Sequence, residues 1–108
     1  MNGVPLEHWL WLSGMVFTLG LCGVMMRRNV ILVLMSIEIM LNAANVALVA
    51  FNKHLVATAG GVSPDGQVFV FFTIAVAAAE VAVALVIALA LFRRLDTINV
   101  DDVANLRW

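Results

Sequence analysis

Residues 30–51 read VILVLMSIEIMLNAANVALVAF, a stretch that is almost wholly apolar and carries one carboxylate, Glu38. A helix of this length, at ~1.5 Å per residue, spans the ~30 Å hydrocarbon core of a bilayer. A charge near the bilayer centre costs roughly 2.5–3.5 kcal/mol on insertion scales, so an acid found there is by default functional. The stretch therefore predicts a transmembrane helix, and Glu38 is the first candidate site residue.

Two further apolar stretches accompany it. Residues 68–92 read VFVFFTIAVAAAEVAVALVIALALF and carry Glu80 at their midpoint. Residues 9–26 are preceded by no Lys or Arg and followed by Arg27 and Arg28, the reverse of the charge order of a signal peptide. The chain of 108 residues is 64% hydrophobic and 12% charged, which is too apolar for a soluble domain.

The predicted fold is a single all-α membrane domain with three transmembrane helices. The helices are expected at about 9–26, 30–51 and 68–92, and a polar tail is expected at 93–108. Arg27, Arg28 and Asn29 predict a minimal turn between the first two helices. Residues 52–66 predict a loop, because they are dense in turn residues. Those turn residues are Gly60-Gly61 and Ser63-Pro64-Asp65-Gly66.

Basic residues predict the orientation of the chain. The turn after the first helix and the tail lie on the same side and hold all the arginines, whereas the opposite side holds only Lys53. The positive-inside rule then places the N-terminus outside and the C-terminus in the cytoplasm. The arginines are Arg27, Arg28, Arg93, Arg94 and Arg107.

The first helix carries Trp9 and Trp11 at its start, where tryptophan is typical of a membrane interface. Small residues recur further along it and are expected to let a neighbouring helix approach closely. They are Ser13, Gly14, Thr18, Gly20, Cys22 and Gly23. Since Cys22 is the single cysteine, the chain has no disulfide framework of its own and no iron–sulfur or zinc cage.

No cofactor site is predicted within the chain. His8 and His54 lie at or beyond the outer interface, so no pair of intramembrane histidines is available to ligate haem. The sequence has no GxGxxG motif and no phosphate-binding loop. The acids of the tail are interpreted as a solvated or docking segment rather than a metal site.

The two glutamates lie among residues that favour contact with protein or water over contact with lipid. Glu38, Asn42 and Asn45 follow at i, i+4 and i+7, so they share one face of the second helix. On the third helix a face of small residues surrounds Glu80, formed by Thr73, Ala77, Ala84 and Ala88. Counting along the helices places Glu38 roughly 13 Å and Glu80 roughly 18 Å from the predicted cytoplasmic ends, at slightly different depths.

Three interpretations of these acids follow. In the first, each glutamate has a structural role and is hydrogen-bonded to a partner helix. In the second, each glutamate is one half of a buried ion pair. In the third, both glutamates relay protons. The chain has no intramembrane Lys or Arg, so an ion-pair partner must come from another subunit. The relay is favoured, because a buried carboxyl group can be neutral or charged at modest cost.

Five segments of the sequence are distinctive in combination: 27–29 (RRN), 36–45 (SIEIMLNAAN), 65–67 (DGQ), 77–83 (AAAEVAV) and 99–102 (NVDD). Together they resemble a known family, the small three-helix subunit K of proton-pumping NADH:quinone oxidoreductase, respiratory complex I. The resemblance covers nearly the whole chain, and as a combination it is highly specific. Two departures stand out: Ala84, where such proteins often carry glycine, and Trp108, to which no role is assigned.

The resemblance implies that Glu38 and Glu80 are the family's intramembrane proton-relay glutamates, supported by the polar face of Asn42 and Asn45. It also implies that Arg27 and Arg28 form a basic pair that matters for coupling. The chain would then be a subunit of a proton-translocating enzyme with no redox catalytic residues of its own. NADH, FMN, Fe–S clusters and a quinone would be bound by other subunits.

The resemblance further implies a bacterial inner membrane protein that packs against the J-, A-, H- and N-type subunits and the lipid, with no nucleic-acid partner. Three alternatives stay open. The first is the small subunit of a multisubunit sodium/proton antiporter, which shares the three-helix architecture. The second is a homodimeric drug/proton exporter, although such proteins usually have four helices and one essential acid. The third is a purely structural assembly subunit.

Overall fold

The computed structural model describes residues 3–61, 65–96 and 99–104. Within these ranges the helices are α1 (Leu6–Met26), α2 (Val30–Ala59), α3 (Asp65–Leu95) and α4 (Val100–Ala104). Each of the first three is long and apolar enough to cross a membrane. The predicted all-α fold with three transmembrane helices is therefore confirmed, whereas the side on which each terminus lies stays a prediction.

The turn between α1 and α2 is as short as the sequence predicts. The backbone of Arg27 is extended, and its N–H donates to the carbonyl of Gly23 at 3.1 Å. Asn29 then caps α2, because its side-chain oxygen accepts a hydrogen bond from the N–H of Ile31 at 2.9 Å. The two helices consequently form an antiparallel hairpin.

The loop predicted at 52–66 is wrong over most of its length, because α2 continues through Lys53 and His54 to Ala59. Charged residues do not break a helix; they mark where it leaves the hydrocarbon layer. Gly60 ends α2 with a φ of 68°, a conformation that glycine adopts without steric cost. Asp65 and Gly66, predicted as turn residues, are the first residues of α3. Ser63 and Pro64 lie outside the described residues.

The third helix also runs past its predicted end. It includes Arg93 and Arg94 and ends at Leu95, because arginine is a good helix former and a cation is favourable at a helix C-terminus. Asp96 follows with a φ of 53°. With 30 and 31 residues, α2 and α3 are each about 45 Å long, more than the ~30 Å hydrocarbon core, so their ends project beyond the hydrocarbon layer. Arg107 and Trp108 lie outside the described residues.

The helices are arranged in a row with α2 in the centre, since α1 and α3 each pack on α2 far more than on each other. On the α1 side, the buried Ser13 hydroxyl donates to the carbonyl of Ala43 at 2.6 Å. A Cβ on Gly20 would lie 2.8 Å from the carbonyl oxygen of Ser36. These small residues bring α1 and α2 together as predicted, whereas Gly14, Thr18 and Cys22 are exposed elsewhere on α1.

Small residues also make up the buried part of the described chain. Most large apolar side chains on the three long helices are exposed and are therefore available to lipid or to other subunits. The buried residues are Ser13, Gly20, Ser36, Ala43, Ala50, Ala77 and Ala88.

Candidate functional site

Two hydrogen bonds determine how α2 and α3 are aligned. Near the loop, the backbone N–H of Gly66 donates to the Oδ1 of Asn52 at 3.3 Å. Further into the membrane, the hydroxyl of Thr73 donates to the Oδ1 of Asn45 at 2.8 Å. The second bond lies seven residues from the first on both helices, as expected for an antiparallel pair of regular helices in contact along one face.

The same step of seven residues leads from Asn45 to Glu38 on α2 and from Thr73 to Glu80 on α3. Glu38 and Glu80 are therefore at the same level of the α2–α3 pair. The same register is seen on either side of the two glutamates. Leu41 and Ala77 line one groove together, and Ile31 and Ala88 line another. Both glutamates thus lie between contacts that share one register.

This alignment corrects the expectation that the glutamates lie at slightly different depths. That expectation measured each acid from the end of its own helix, as though the ends of the two helices lay in one plane. The ends are staggered, because α2 begins at Val30 whereas α3 continues to Leu95. Once the stagger is included, residues 38 and 80 share a level along the α2–α3 pair.

Glu80 is exposed in the isolated chain and lies in a groove of about 340 Å³ beside the contact line of α2 and α3. We call this the Glu80 groove. Ala77 is buried, and its small side chain lets α2 and α3 approach closely. The groove is lined by Leu41, Phe69, Phe72, Thr73, Val76, Ala77 and Glu80.

A second groove, of about 320 Å³, lies on the other side of the same contact line, between α1 and α3. We call it the asparagine groove, because Asn42 and Asn45 both line it. Lys53 lies at its outer end. Glu38, one turn before Asn42, is half-buried. The groove is lined by Trp9, Asn42, Asn45, Val46, Val49, Ala50, Lys53, Val70 and Ile74.

The hydrogen bond between Thr73 and Asn45 joins these two grooves. Asn45 lines the asparagine groove, and Thr73 lines the Glu80 groove. The Thr73 hydroxyl also lies 2.8 Å from the carbonyl of Val70, so its one proton has two acceptors. The sequence indicated a polar face on each helix, but the polar crossing between the grooves depends on how the helices pack.

Trp9 differs from the expectation for an interfacial tryptophan. Its indole Nε1 is buried and has no hydrogen-bond partner among the described residues, and its ring lines the asparagine groove. Trp11, by contrast, is 72% exposed, as expected for a side chain at the membrane interface. Both tryptophans lie at the start of the first helix, and nothing in the sequence indicates that their surroundings differ.

The basic end of the molecule, which carries Arg27, Arg28, Arg93 and Arg94, holds a contact that sequence reasoning missed. The guanidinium of Arg28 lies 3.2 Å from the carboxylate of Asp101. The backbone N–H of Val100 donates to the carbonyl of Arg28 at 3.0 Å. The tail therefore contacts the turn through Asp101, although both side chains stay largely exposed, 80% for Arg28 and 63% for Asp101.

Chemically, the site offers two glutamates at one level of a membrane domain, with the amide groups of Asn42 and Asn45 and the hydroxyl of Thr73 one to two turns away on the same helices. Such groups can hold, orient and pass protons through water. Over the described residues, no group of three His, Cys, Asp or Glu side chains is arranged to hold a metal ion.

Comparison with known proteins connects this arrangement to a family. The family described as NADH-ubiquinone/plastoquinone oxidoreductase chain 4L matches residues 8–108. A relative from Deinococcus radiodurans, an NADH-quinone oxidoreductase subunit K, is 52% identical over 104 residues, covering 96% of this chain and 95% of the relative.

Two further relatives bear the same description. The protein from Flavobacterium johnsoniae is 47% identical over 107 residues, covering 99% of this chain and 95% of the relative. The protein from Aeromonas hydrophila is 45% identical over 107 residues, covering 99% of each. These similarities favour the oxidoreductase over the antiporter, and with the three spans they support an integral protein of the bacterial inner membrane.

Proposed function

Since this chain belongs to the chain 4L family of NADH-ubiquinone/plastoquinone oxidoreductases and is a subunit K of NADH-quinone oxidoreductase, we propose that Glu38 and Glu80 relay protons within the membrane. The relay is coupled to quinone reduction that takes place in other subunits. NADH, FMN, Fe–S clusters and the quinone are bound there. On this proposal the chain contributes carboxylates, and the redox centres lie in the other subunits.

The observation that carries the proposal is the shared level of the two glutamates on neighbouring helices. Carboxylates at one depth, on the two helices that flank a contact line, suit transfer parallel to the membrane plane rather than across it. Water in the adjoining grooves would complete the path, because a water molecule needs two to four polar partners and the site supplies carboxylates, amides and a hydroxyl. The Thr73–Asn45 bond provides a polar crossing two helical turns away.

Exposure of Glu80 supports the assignment of partners. A carboxylate in the middle of a span does not face lipid, because that placement costs several kcal/mol. Glu80 is exposed in the isolated chain, so a neighbouring subunit covers the Glu80 groove in the assembled complex. The J-, A-, H- and N-type membrane subunits are the proposed neighbours, and Arg27 and Arg28 the proposed coupling residues at the cytoplasmic side.

Glutamine substitution tests the relay. Glu38→Gln keeps the shape and hydrogen-bonding capacity of the side chain but cannot titrate. We expect it to assemble normally and to lower NADH:quinone activity and proton pumping together, by about tenfold or more. Glu80→Gln should act in the same way but more weakly, because carboxylates of neighbouring subunits can share its role. Glu→Asp at either position should be milder, because the carboxyl group remains.

The matched control is Glu7→Gln, the same chemical change at an exposed glutamate in the first turn of α1. It should leave both rates unchanged. Activity and proton uptake are measured in membranes, with the amount of assembled complex normalised by immunoblot. If Glu38→Gln and Glu80→Gln, singly and combined, pump at the wild-type rate per complex, the glutamates are structural and the relay is wrong.

A further inference from the structure

The polar tail returns to the turn between α1 and α2 and makes three contacts with it over consecutive residues. Asn29 and Asn99 pair as an isolated antiparallel bridge. The N–H of Val100 donates to the carbonyl of Arg28 at 3.0 Å. The carboxylate of Asp101 then lies 3.2 Å from the guanidinium of Arg28. Backbone pairing followed by an ion pair places the tail in one register on the turn, and we call residues 99–101 the tail strap.

The two arginines of the turn differ in these contacts. Arg28 holds the tail through both its carbonyl and its side chain. The backbone N–H of Arg27 donates to the carbonyl of Gly23 at the end of α1. The side chain of Arg27 is exposed and forms no ion pair with any residue that the structure describes. Both arginines are exposed, 80% for the side chain of Arg28, but among the described residues only Arg28 has an ion-pair partner.

We infer that Arg28 is a positioning residue that fastens the tail strap across the basic end of the molecule, and that Arg27 alone offers its guanidinium to a carboxylate of a neighbouring subunit. The part of this inference that concerns Arg27 rests on the proposed function. The part that concerns Arg28 and Asp101 rests on this chain alone.

The strap has a mechanical consequence. Because α1 and α3 barely contact each other, α3 is held mainly by its packing on α2. At the loop end, Asn52 and Gly66 keep α2 and α3 aligned. At the basic end, the strap joins the segment after α3 to the cap of α2 at Asn29. These contacts at the two ends of the α2–α3 pair maintain the register that places Glu38 and Glu80 at one level.

A disulfide placed across the bridge measures the strap directly. Asn29→Cys and Asn99→Cys are introduced into the complex after the native Cys22 is replaced by alanine. The effective concentration of the two thiols is measured against glutathione. Formation of the disulfide is expected, and its absence under oxidising conditions would overturn the strap. A pair at Lys53 and position 99, at opposite ends of the molecule, is the control and should not form.

Charge variants in this cysteine background then distinguish the two arginines. Arg28→Gln and Asp101→Asn should each lower the effective concentration by about two- to fivefold, the range for an exposed ion pair. The double variant should lower it no further, because both changes remove the same interaction. Arg27→Gln should leave it unchanged. An equal fall for Arg27→Gln, or additive falls for Arg28→Gln and Asp101→Asn, would overturn the assignment of Arg28.

The NADH:quinone activity of the oxidised complex tests whether Arg27, and not Arg28, contacts a neighbouring subunit. Once the disulfide replaces the strap, Arg28→Gln should recover the NADH:quinone activity of the disulfide-linked parent, whereas Arg27→Gln should stay impaired. If Arg28→Gln also stays impaired, Arg28 acts on a neighbour and the division of roles is wrong. If Arg27→Gln has full activity, Arg27 offers nothing to a neighbour. The thiol measurement does not depend on activity, so failure of the relay and failure of the strap remain distinguishable.

Discussion

Gly66→Ala should loosen the contact between α2 and α3, because a Cβ at this position has no room. It would lie 2.6 Å from both the Cβ and the Cγ of Asn52, whereas ordinary contact begins at 3.4 Å. The Cβ of Asn52 belongs to the rigid start of its side chain, so no rotamer change relieves the overlap. The helices must separate, and overpacking of this kind costs about 1–3 kcal/mol.

A cost of this size changes the ratio of packed to separated helices by about five- to 150-fold. The matched control is Gly61→Ala, since a Cβ there meets nothing within 4 Å. A Gly→Ala change also restricts the unfolded chain, which is worth roughly 0.4–1 kcal/mol where the native backbone suits alanine. The difference between the two variants therefore isolates the overlap with Asn52.

The assay is the temperature at which purified complexes release this subunit on native gels, with NADH:quinone activity followed in parallel. Gly66→Ala should lower that temperature, and Gly61→Ala should not. Asn52→Gly removes both clashing atoms, so in the Gly66→Ala background it should recover part of the loss even if it destabilises the wild type. Equal release temperatures for Gly66→Ala and Gly61→Ala would refute the close-approach argument.

Three further expectations follow from the same geometry. Thr73→Val removes the donor to Asn45 and should lower the release temperature and the activity, whereas Thr73→Ser should retain both, since transmembrane hydrogen bonds of this kind are worth about 0.6–1.7 kcal/mol. Gly60→Val forces a β-branched residue into the left-handed conformation and should lower the release temperature by the equivalent of about 1–2 kcal/mol, unlike Gly60→Asn. In sealed vesicles without the native cysteine, single cysteines at Lys53 and Arg94 should react with an impermeant thiol reagent from opposite sides, and labelling from one side would contradict the predicted orientation.

Several features that sequence reasoning located only approximately have local physical causes. The density of turn residues predicts a loop from Asn52, eight residues before the loop begins at Gly60, because the apolar stretch ends at Phe51 although the helix does not. Polarity shows where a helix leaves the hydrocarbon, whereas the left-handed φ of Gly60 shows where the helix ends. Likewise, Asp65 and Gly66 are residues typical of turns, but they begin α3. An acid is favourable at a helix N-terminus, and position 66 has no room for a Cβ beside Asn52.

Sequence by itself determined what depends on a single segment and its solvent. Apolar length against bilayer thickness predicted the three spans, and the cost of a buried charge singled out Glu38 and Glu80. Only the tertiary structure decided what depends on two segments at once: the shared level of the glutamates, the Thr73–Asn45 crossing, and the pairing of Arg28 with Asp101. The physical reason is that helix register and strap docking are set by contacts between residues far apart in the chain. No periodicity within either segment records those contacts.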